Sequence, residues 1–175
     1  VITGDPIPSM VRSSVKSVFN FDSVGLMNII SDMNQDQFAD KPVIYGGAIN
    51  QGRVNFKVEL ARVKKKMEAG ATFFMTQPVF SDEDISRLRQ IKEETGAMPF
   101  VSLRNATFMK NEMTGINVTD EILARYSADM TKEEGEETGI QIAKEIITKT
   151  SDFVDGYYFS FPFNRVHMLE KILNA

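Results

Sequence analysis

The stretch AGATFFMTQPVF, residues 69–80, indicates the end of a helix, a buried strand and a polar residue at the end of that strand. Gly70 is the residue type that most often ends a helix. The ATFFM run is almost entirely apolar, as in strands of parallel sheets that are buried on both faces. Gln77 stands directly before Pro78, which biases it towards an extended conformation and directs its side chain out of the strand end. The stretch therefore predicts a parallel sheet with an amide side chain at its carboxyl edge.

The rest of the chain repeats this pattern of a strand followed by a helix, about five times in all. Three segments with helical spacing of apolar residues open on good N-cap residues, namely Asp22, Ser81 and Thr131. Helices are predicted in residues 22–33, 54–70, 81–96, 119–130, 131–150 and 164–173, and strands in residues 1–3, 41–50, 71–77, 98–104 and 155–161. This alternation indicates an α/β fold with a parallel sheet and crossover helices.

Two architectures fit the alternation: a doubly wound open sheet and part of a TIM (β/α)8 barrel. No G-x-G-x-x-G loop follows a predicted strand, which weakens the dinucleotide-binding form of the open sheet. A barrel needs eight units and about 250 residues, whereas these 175 residues hold about five units. We therefore expect one domain, residues 1–175, that lacks the N-terminal units of a barrel. Residues 1–3 read as the end of a strand, so we also expect the chain to be a piece of a longer protein.

The composition excludes several classes of protein. The net charge of −4 argues against nucleic acid or an anionic membrane as the main partner. No apolar run approaches the roughly 20 residues of a membrane span. The chain has no cysteine and a single histidine, His167, so disulfides and thiolate or histidine-rich metal sites are excluded and no metal site is predicted. A cytoplasmic origin fits these features.

The ends of the predicted strands carry amides, arginines and one carboxylate. In parallel α/β folds the site lies at the carboxyl ends of the strands. The polar residues there are Asp5, Asn50, Gln51, Thr76, Gln77, Arg104, Asn105, Asn164 and Arg165. An amide offers a donor and an acceptor to a flat heterocycle, and arginine binds anionic groups. Because a Ser-His-Asp set is missing, these residues predict a site in which a cofactor supplies the chemistry.

Five motifs in order carry a resemblance to a known family. They are TGDP (3–6), FDSVGLMNII (21–30), GGAINQ (46–51), KKKMEAGATFFMTQPVF (64–80) and FNRVHMLEKIL (163–173). Together they resemble the C-terminal part of methylenetetrahydrofolate reductase, a TIM-barrel flavoprotein. The nearest likeness is to bacterial reductases that are fused behind a homocysteine S-methyltransferase domain, so the resemblance implies such a domain upstream in the full-length protein.

The resemblance implies an activity in folate metabolism. In the family, FAD accepts a hydride from NAD(P)H and passes it to the methylene carbon of 5,10-methylenetetrahydrofolate, which gives 5-methyltetrahydrofolate. The family's early strands, with a glutamate that looks like the general acid, would lie before residue 1. We therefore expect weak or no reductase activity from this chain alone.

The resemblance assigns Asp5 and Gln77 to the reaction centre. Asp5, next to Gly4 at the flavin, would stabilise the cationic iminium form of the folate. Its alternative role is that of a turn residue that bonds its own backbone. Gln77 would contact the pterin ring and, in turn, the nicotinamide. Its alternative role is to cap loose backbone at the strand end.

The remaining assignments concern the cofactor and the outer part of the substrate. Lys66 would contact a FAD phosphate and Glu59 the FAD ribose, whereas Lys64 and Lys65 are expected on a solvated face. Arg165 would bind the glutamate tail of folate, or else bridge to a neighbouring residue. Met109 stands where known members have a phenylalanine against the substrate, and it would form an apolar wall.

Two other functions remain open from the residues alone. One is a non-catalytic barrel fragment that binds flavin or folate. The other is an unrelated TIM-barrel enzyme, which is disfavoured because no lysine or carboxylate pair stands at the strand ends for proton transfer. Open sheet edges pair readily with other chains, so we expect the isolated chain to form homo-oligomers or to cover its edges by compaction.

Overall fold

The computed structural model describes residues 1–3, 20–104, 118–161 and 165–174, with the backbone alone for residues 99–104. Within these residues four strands form one parallel sheet in the order β1-β2-β3-β4. The strands are β1 (Gly46–Ile49), β2 (Phe73–Pro78), β3 (Pro99–Arg104) and β4 (Gly156–Ser160). The order follows the sequence, without the reversal that defines the switch point of a doubly wound sheet.

Helices connect and flank the strands. They are α1 (Ser23–Gln35), α2 (Phe56–Glu68), α3 (Asp82–Thr95), α4 (Asp120–Ala124), α5 (Lys132–Thr150) and α6 (His167–Leu173). The helix α2 packs against both α1 and α3. The predicted α/β class with a parallel sheet is therefore confirmed.

Local signals in the sequence set the helix boundaries. The side chains of Asp22, Ser81 and Thr131 accept hydrogen bonds from the backbone of the first turns of α1, α3 and α5, as predicted. Thr131 and Glu134 complete a capping box. Gly70 has φ +91° after α2 and Gly96 has φ +69° after α3, so both glycines occupy the left-handed region that ends helices.

The main core lies between the sheet and the helices. Phe74 in β2 and Ile49 in β1 are fully buried there, together with Val63, Leu88 and Ile91 from α2 and α3. A smaller cluster joins α5 to α6 through Ile140, Met168 and Ile172. The alternating positions of the two strands thus face apolar helix surfaces, which fixes their register.

Several sequence predictions of elements were wrong in detail. The strand predicted in residues 41–50 is limited to β1. Residues 1–3 have no strand geometry, although the backbone nitrogen of Val1 lies 2.5 Å from the carbonyl oxygen of Gly46. The helix predicted in residues 119–130 ends at Ala124. Beyond it, Oγ of Ser127 donates to the Asp129 carboxylate and accepts from the Asp129 N–H, a local pattern that competes with helix. The last helix begins at His167 and not at residue 164.

In the parts of the chain that the structure describes, no helix is both long and apolar enough to cross a membrane.

Pairing between β2 and β3 is interrupted by a β-bulge. Met75 pairs with Phe100 and Pro78 pairs with Ser102, so one more residue of β2 than of β3 lies between these pairs. On the other side of β2, the pairing with β1 ends at Ile49 and Thr76. Gln77 therefore lies beyond the point where pairing with β1 ends and within the bulge that faces β3.

Candidate functional site

The bulge in β2 presents Gln77 at the carboxyl edge of the sheet. Pro78 follows it and has no N–H to give to a ladder. The Gln77 side chain is exposed, whereas the flanking Thr76 and Pro78 are buried. Bulges near strand ends re-aim side chains and are frequent beside active sites. The exposure of Gln77 agrees with the sequence prediction that its side chain leaves the strand end.

The side chain of Gln51 bonds the backbone around Gln77. Its Oε1 accepts from the Gln77 N–H at 3.1 Å, and its Nε2 donates to the carbonyls of Gln77 at 3.0 Å and Pro78 at 3.2 Å. Gln51 is only 1% exposed. The role of capping loose backbone at the strand end, considered above for Gln77, is therefore carried out by Gln51.

The Gln51 backbone is itself bonded by α3. Nη1 of Arg87 donates to the carbonyls of Gln51 at 2.9 Å and Arg53 at 3.2 Å. Nη2 of Arg87 lies 2.6 Å from the Glu83 carboxylate, and its guanidinium lies 5.3 Å from the centre of the Phe56 ring. The turn after β1 is thus fixed to α3 and not only to its own strand.

Glu59 joins the same turn to α2. This carboxylate is 3% exposed and accepts from the Asn50 N–H at 3.0 Å. Nη1 of Arg53 lies 3.6 Å from its other oxygen. Buried carboxylates are retained when they are paired and hydrogen-bonded, and Glu59 meets both conditions within one turn of chain.

Lys66 lies two helical turns after Glu59, on the same face of α2, and is 5% exposed. Its Nζ donates to the carbonyl of Ala48 at 2.5 Å. Its stem crosses Gly47, where an added Cβ would lie 3.1 Å from Cδ of Lys66. Burial lowers the pKa of Lys66, and the charge of Glu59 opposes that shift. The neighbours Lys64 and Lys65 are exposed, as predicted.

Arg165 follows β4 and pairs with Glu136 of α5. Nε of Arg165 lies 3.2 Å from one carboxylate oxygen, and Nε2 of His167 lies 2.9 Å from the other. The hydrogen bond from His167, with the charge of Arg165, lowers the pKa of Glu136. The bridging role considered for Arg165 is present in the structure.

The structure describes four of the predicted site residues: Gln77, Glu59, Lys66 and Arg165. The turn after β1 links Glu59 to the backbone of Gln77 through Asn50 and Gln51. Arg165 follows β4, which lies two strands from β2; because all neighbouring strands are parallel, the carboxyl ends of β2 and β4 lie at the same edge. The predicted residues Gly4, Asp5 and Met109 lie outside the described residues, as do Asn105 and Asn164.

Two residues of this region were not given a role from the sequence. Gln51 was recognised only as a polar residue at a strand end, and Arg87 was not singled out. Gln51 lies two residues after β1, whose pairing with β2 ends at Ile49 and Thr76, and this pairing was not visible in the sequence. In the described residues no group of three or more His, Asp or Glu side chains could hold a metal ion.

The arrangement presents the exposed side-chain amide of Gln77 on a backbone that buried contacts fix. It offers donors and acceptors without a metal cluster among the described side chains.

In comparisons with known proteins, the family model described as methylenetetrahydrofolate reductase matches residues 1–174. No curated protein matches the chain.

Proposed function

The chain belongs to the methylenetetrahydrofolate reductase family, and on that premise we propose that it reduces 5,10-methylenetetrahydrofolate to 5-methyltetrahydrofolate with FAD and NAD(P)H. Membership itself implies reduction of methylenetetrahydrofolate in general terms. The observation that carries the finer proposal is the exposed Gln77 amide at the carboxyl edge of a parallel sheet, with its backbone fixed by Gln51.

We propose that the sheet is the C-terminal portion of a TIM barrel, about five βα units in residues 1–175. The sequential strand order β1-β2-β3-β4 supports this, since neighbouring strands of a barrel follow one another in the chain. In the described residues β1 and β4 each pair with one strand. We propose further barrel units or a second copy of the chain as the partners of these edges, and a homocysteine S-methyltransferase domain as an upstream domain of the full-length protein.

Gln77 is proposed to bind the pterin ring of the folate. Its side-chain amide offers one acceptor and two donors, which match the mixed donor and acceptor edge of a pterin. The fixed backbone sets the point and direction from which this side chain extends, so less backbone entropy is lost on binding. The same position would serve the nicotinamide, since we propose that NAD(P)H and folate use one site in turn.

Glu59 and Lys66 fit the requirements of the cofactor by their chemistry. A buried ammonium complements a phosphate, and a buried carboxylate accepts from ribose hydroxyls. We propose that Lys66 holds a FAD phosphate, that Glu59 holds the ribose, and that Gly4 and Asp5 lie beside the flavin. When bound, FAD supplies hydride transfer between NAD(P)H and the folate.

Asp5, Met109 and Arg165 complete the proposed substrate site. The Asp5 carboxylate would stabilise the cationic iminium form of the folate, so Asp5→Asn is expected to slow folate reduction. Met109 would form an apolar wall, and Arg165 would bind the glutamate tail beside its Glu136 contact. Because NAD(P)H and reduced folates are intracellular metabolites, we place the activity in the cytoplasm.

The test uses the full-length protein purified with FAD. A reductase is yellow, loses its flavin absorbance with NAD(P)H and regains it on addition of 5,10-methylenetetrahydrofolate. A protein that stays colourless after FAD addition would overturn the proposal. Flavin that is reduced but never reoxidised by the folate would favour the alternative, a flavin-binding barrel without folate turnover.

A further inference from the structure

The backbone N–H and carbonyl of Gln77 lie where regular pairing with the neighbouring strands is interrupted. The pairing of β1 with β2 ends at Ile49 and Thr76, and the bulge shifts the register to β3 between Met75 and Pro78. Buried or half-buried backbone groups in such a position need other partners.

The side-chain amide of Gln51 supplies these partners in the pattern of a peptide group. Like a backbone unit, it has one carbonyl oxygen and one N–H that face the neighbouring strand, and they bond the N–H and carbonyl of Gln77 at 3.1 and 3.0 Å. It also reaches the carbonyl of Pro78 at 3.2 Å. Gln51 therefore extends β1 by one side chain along the irregular part of β2.

Arg87 makes this arrangement more than a local turn. Its guanidinium bonds the carbonyls on both sides of Gly52, those of Gln51 and Arg53. The Gln51 side chain is thus attached to a backbone that α3 holds in place, and it is nearly inaccessible to solvent. Water does not compete easily for its three hydrogen bonds.

We propose that Gln51 is a positioning residue. It fixes the backbone from which the side-chain amide of Gln77 reaches the folate. This inference rests on the proposed function, because it takes the pterin contact of Gln77 as given. Gln51 acts through the backbone of Gln77 and does not touch the substrate. Its loss leaves the Gln77 side chain present but free to adopt orientations that do not match the ring.

The first test compares Gln51→Met with Gln77→Ala and with a control, Gln141→Met, in the full-length FAD-loaded protein. Gln141 is exposed on α5 and bonds only Glu137 among the contacts described. Gln51→Met keeps the length of the side chain and removes its hydrogen bonds. We expect its Kd for 5-methyltetrahydrofolate, measured by calorimetry, to rise about tenfold, which is about 1.4 kcal/mol. The Kd of Gln141→Met should equal that of the wild type.

A second readout reports the contact without any ligand. Hydrogen exchange of the Gln77 backbone N–H should be faster in Gln51→Met than in the wild type, whereas the affinity for FAD should not change. In kinetics the KM for the folate should rise more than kcat falls, because the variant loses orientation in the bound state and not the chemistry itself.

Gln51→Glu provides a pH-dependent rescue. A neutral carboxyl group has one O–H donor and one carbonyl acceptor, so it can bond the carbonyl and N–H of Gln77 as the amide does. An ionised carboxylate has no donor and faces two carbonyl oxygens. Folate affinity of this variant should therefore approach that of the wild type at low pH and fall as the pH rises.

Other titratable groups surround the position and are present in both proteins. They are Arg53 in the turn, Glu59 on α2, and Glu83, Asp84 and Arg87 on α3. Burial raises the pKa of Asp84, so the wild-type profile must be measured over the same range. The ratio of the two profiles isolates the group at position 51.

The outcomes separate the inference from the function on which it rests. If Gln77→Ala does not weaken folate binding, the pterin contact fails and the inference fails with it. If Gln77→Ala weakens binding while Gln51→Met does not, only the positioning role is overturned. If Gln51→Met does not fold, a pH-independent Kd for Gln51→Glu would overturn the role by itself.

Discussion

Lys66 donates from its Nζ to the carbonyl of Ala48 at 2.5 Å, so its ammonium group lies between α2 and β1 and not on the surface. Glu59 is buried on the same face of the helix. A lysine with its charge in such a place is rare unless the charge has a partner; here Nζ donates to the Ala48 carbonyl, and the negative charge of Glu59 acts on Lys66 from a longer distance. This relationship leads to two predictions.

The first prediction concerns FAD binding. Lys66→Met keeps most of the apolar stem over Gly47 and removes the charge, so the free energy of unfolding should change by no more than about 1 kcal/mol. If Lys66 holds a phosphate, its removal should weaken FAD binding roughly tenfold or more, as for a lost hydrogen bond to a charged group. The measurement is a titration of the apoprotein that follows flavin fluorescence.

Lys64→Met is the matched control for this experiment. Lys64 is exposed and lies 3.7 Å from Glu94 across the surface, where such pairs contribute little. Its FAD affinity should equal that of the wild type. Equal FAD affinity for Lys66→Met and Lys64→Met would contradict the phosphate contact.

The second prediction concerns the pH dependence of stability. Burial holds the pKa of Lys66 below its ordinary value of 10.5. Between the folded pKa and 10.5, the unfolded chain keeps a proton on Lys66 that the folded chain has released. The free energy of unfolding therefore rises with pH in that interval. Urea unfolding of the apoprotein at a series of alkaline pH values should show this rise for the wild type relative to Lys66→Met; parallel curves would refute it.

The third prediction concerns the stability of three Gly→Ala variants, for which we expect three different changes in the free energy of unfolding. A Cβ at Gly70, where φ is +91°, would overlap Oη of Tyr45, which donates to the Ala69 carbonyl at 2.6 Å. Gly70→Ala should therefore cost more than about 2 kcal/mol. Gly96→Ala has open space at φ +69° and should cost about 1 kcal/mol. Gly135→Ala, helical and unobstructed, should stabilise by about 0.5–1 kcal/mol.

Urea unfolding of the three variants measures this order directly. The order depends on the contact with Tyr45 and on backbone conformation, and not on the loss of glycine as such. If Gly70→Ala were no worse than Gly96→Ala, the close approach of Tyr45 to the helix end would be incorrect.

The same residues show what the sequence could predict. Gly70, Ser81 and Thr131 act on the backbone within a few residues of themselves, so their roles could be read from local patterns. The parallel sheet could be predicted because apolar runs that alternate with helical patterns are also local features of the sequence. The exposed position of Gln77 followed from the proline after it.

The parts that escaped prediction depend on contacts between distant segments. Gln51 bonds residues 26 and 27 positions away, and only because β2 has a bulge that no local pattern announces. Lys66 is buried because Gly47, 19 positions earlier, leaves room for its stem. The run of three lysines does not by itself separate the third from the first two; only the family resemblance gave Lys66 a different role. Such features follow from packing, which overrides local propensity.

The last prediction concerns Arg165 and its partner Glu136. If Arg165 binds the glutamate tail, the tail carboxylate and the Glu136 carboxylate interact with the same guanidinium. Arg165→Met should then weaken binding of a folate with its tail roughly tenfold, without affecting a pterin analogue that lacks the tail. Calorimetry with both ligands measures the difference.

Glu136→Gln tests the competition between the two carboxylates. It removes a negative charge from beside Arg165, so the affinity for the tailed folate should rise while that for the tail-less analogue stays constant. The lowered pKa of Glu136 shows that its charged form is favoured by His167 and Arg165; its contribution to stability is thus present above the ordinary value of 4.5 and is lost as the pH falls through the folded pKa. The binding experiment therefore belongs near neutral pH. Equal losses for both ligands in Arg165→Met, or no gain in Glu136→Gln, would show that Arg165 only joins α5 to the end of β4.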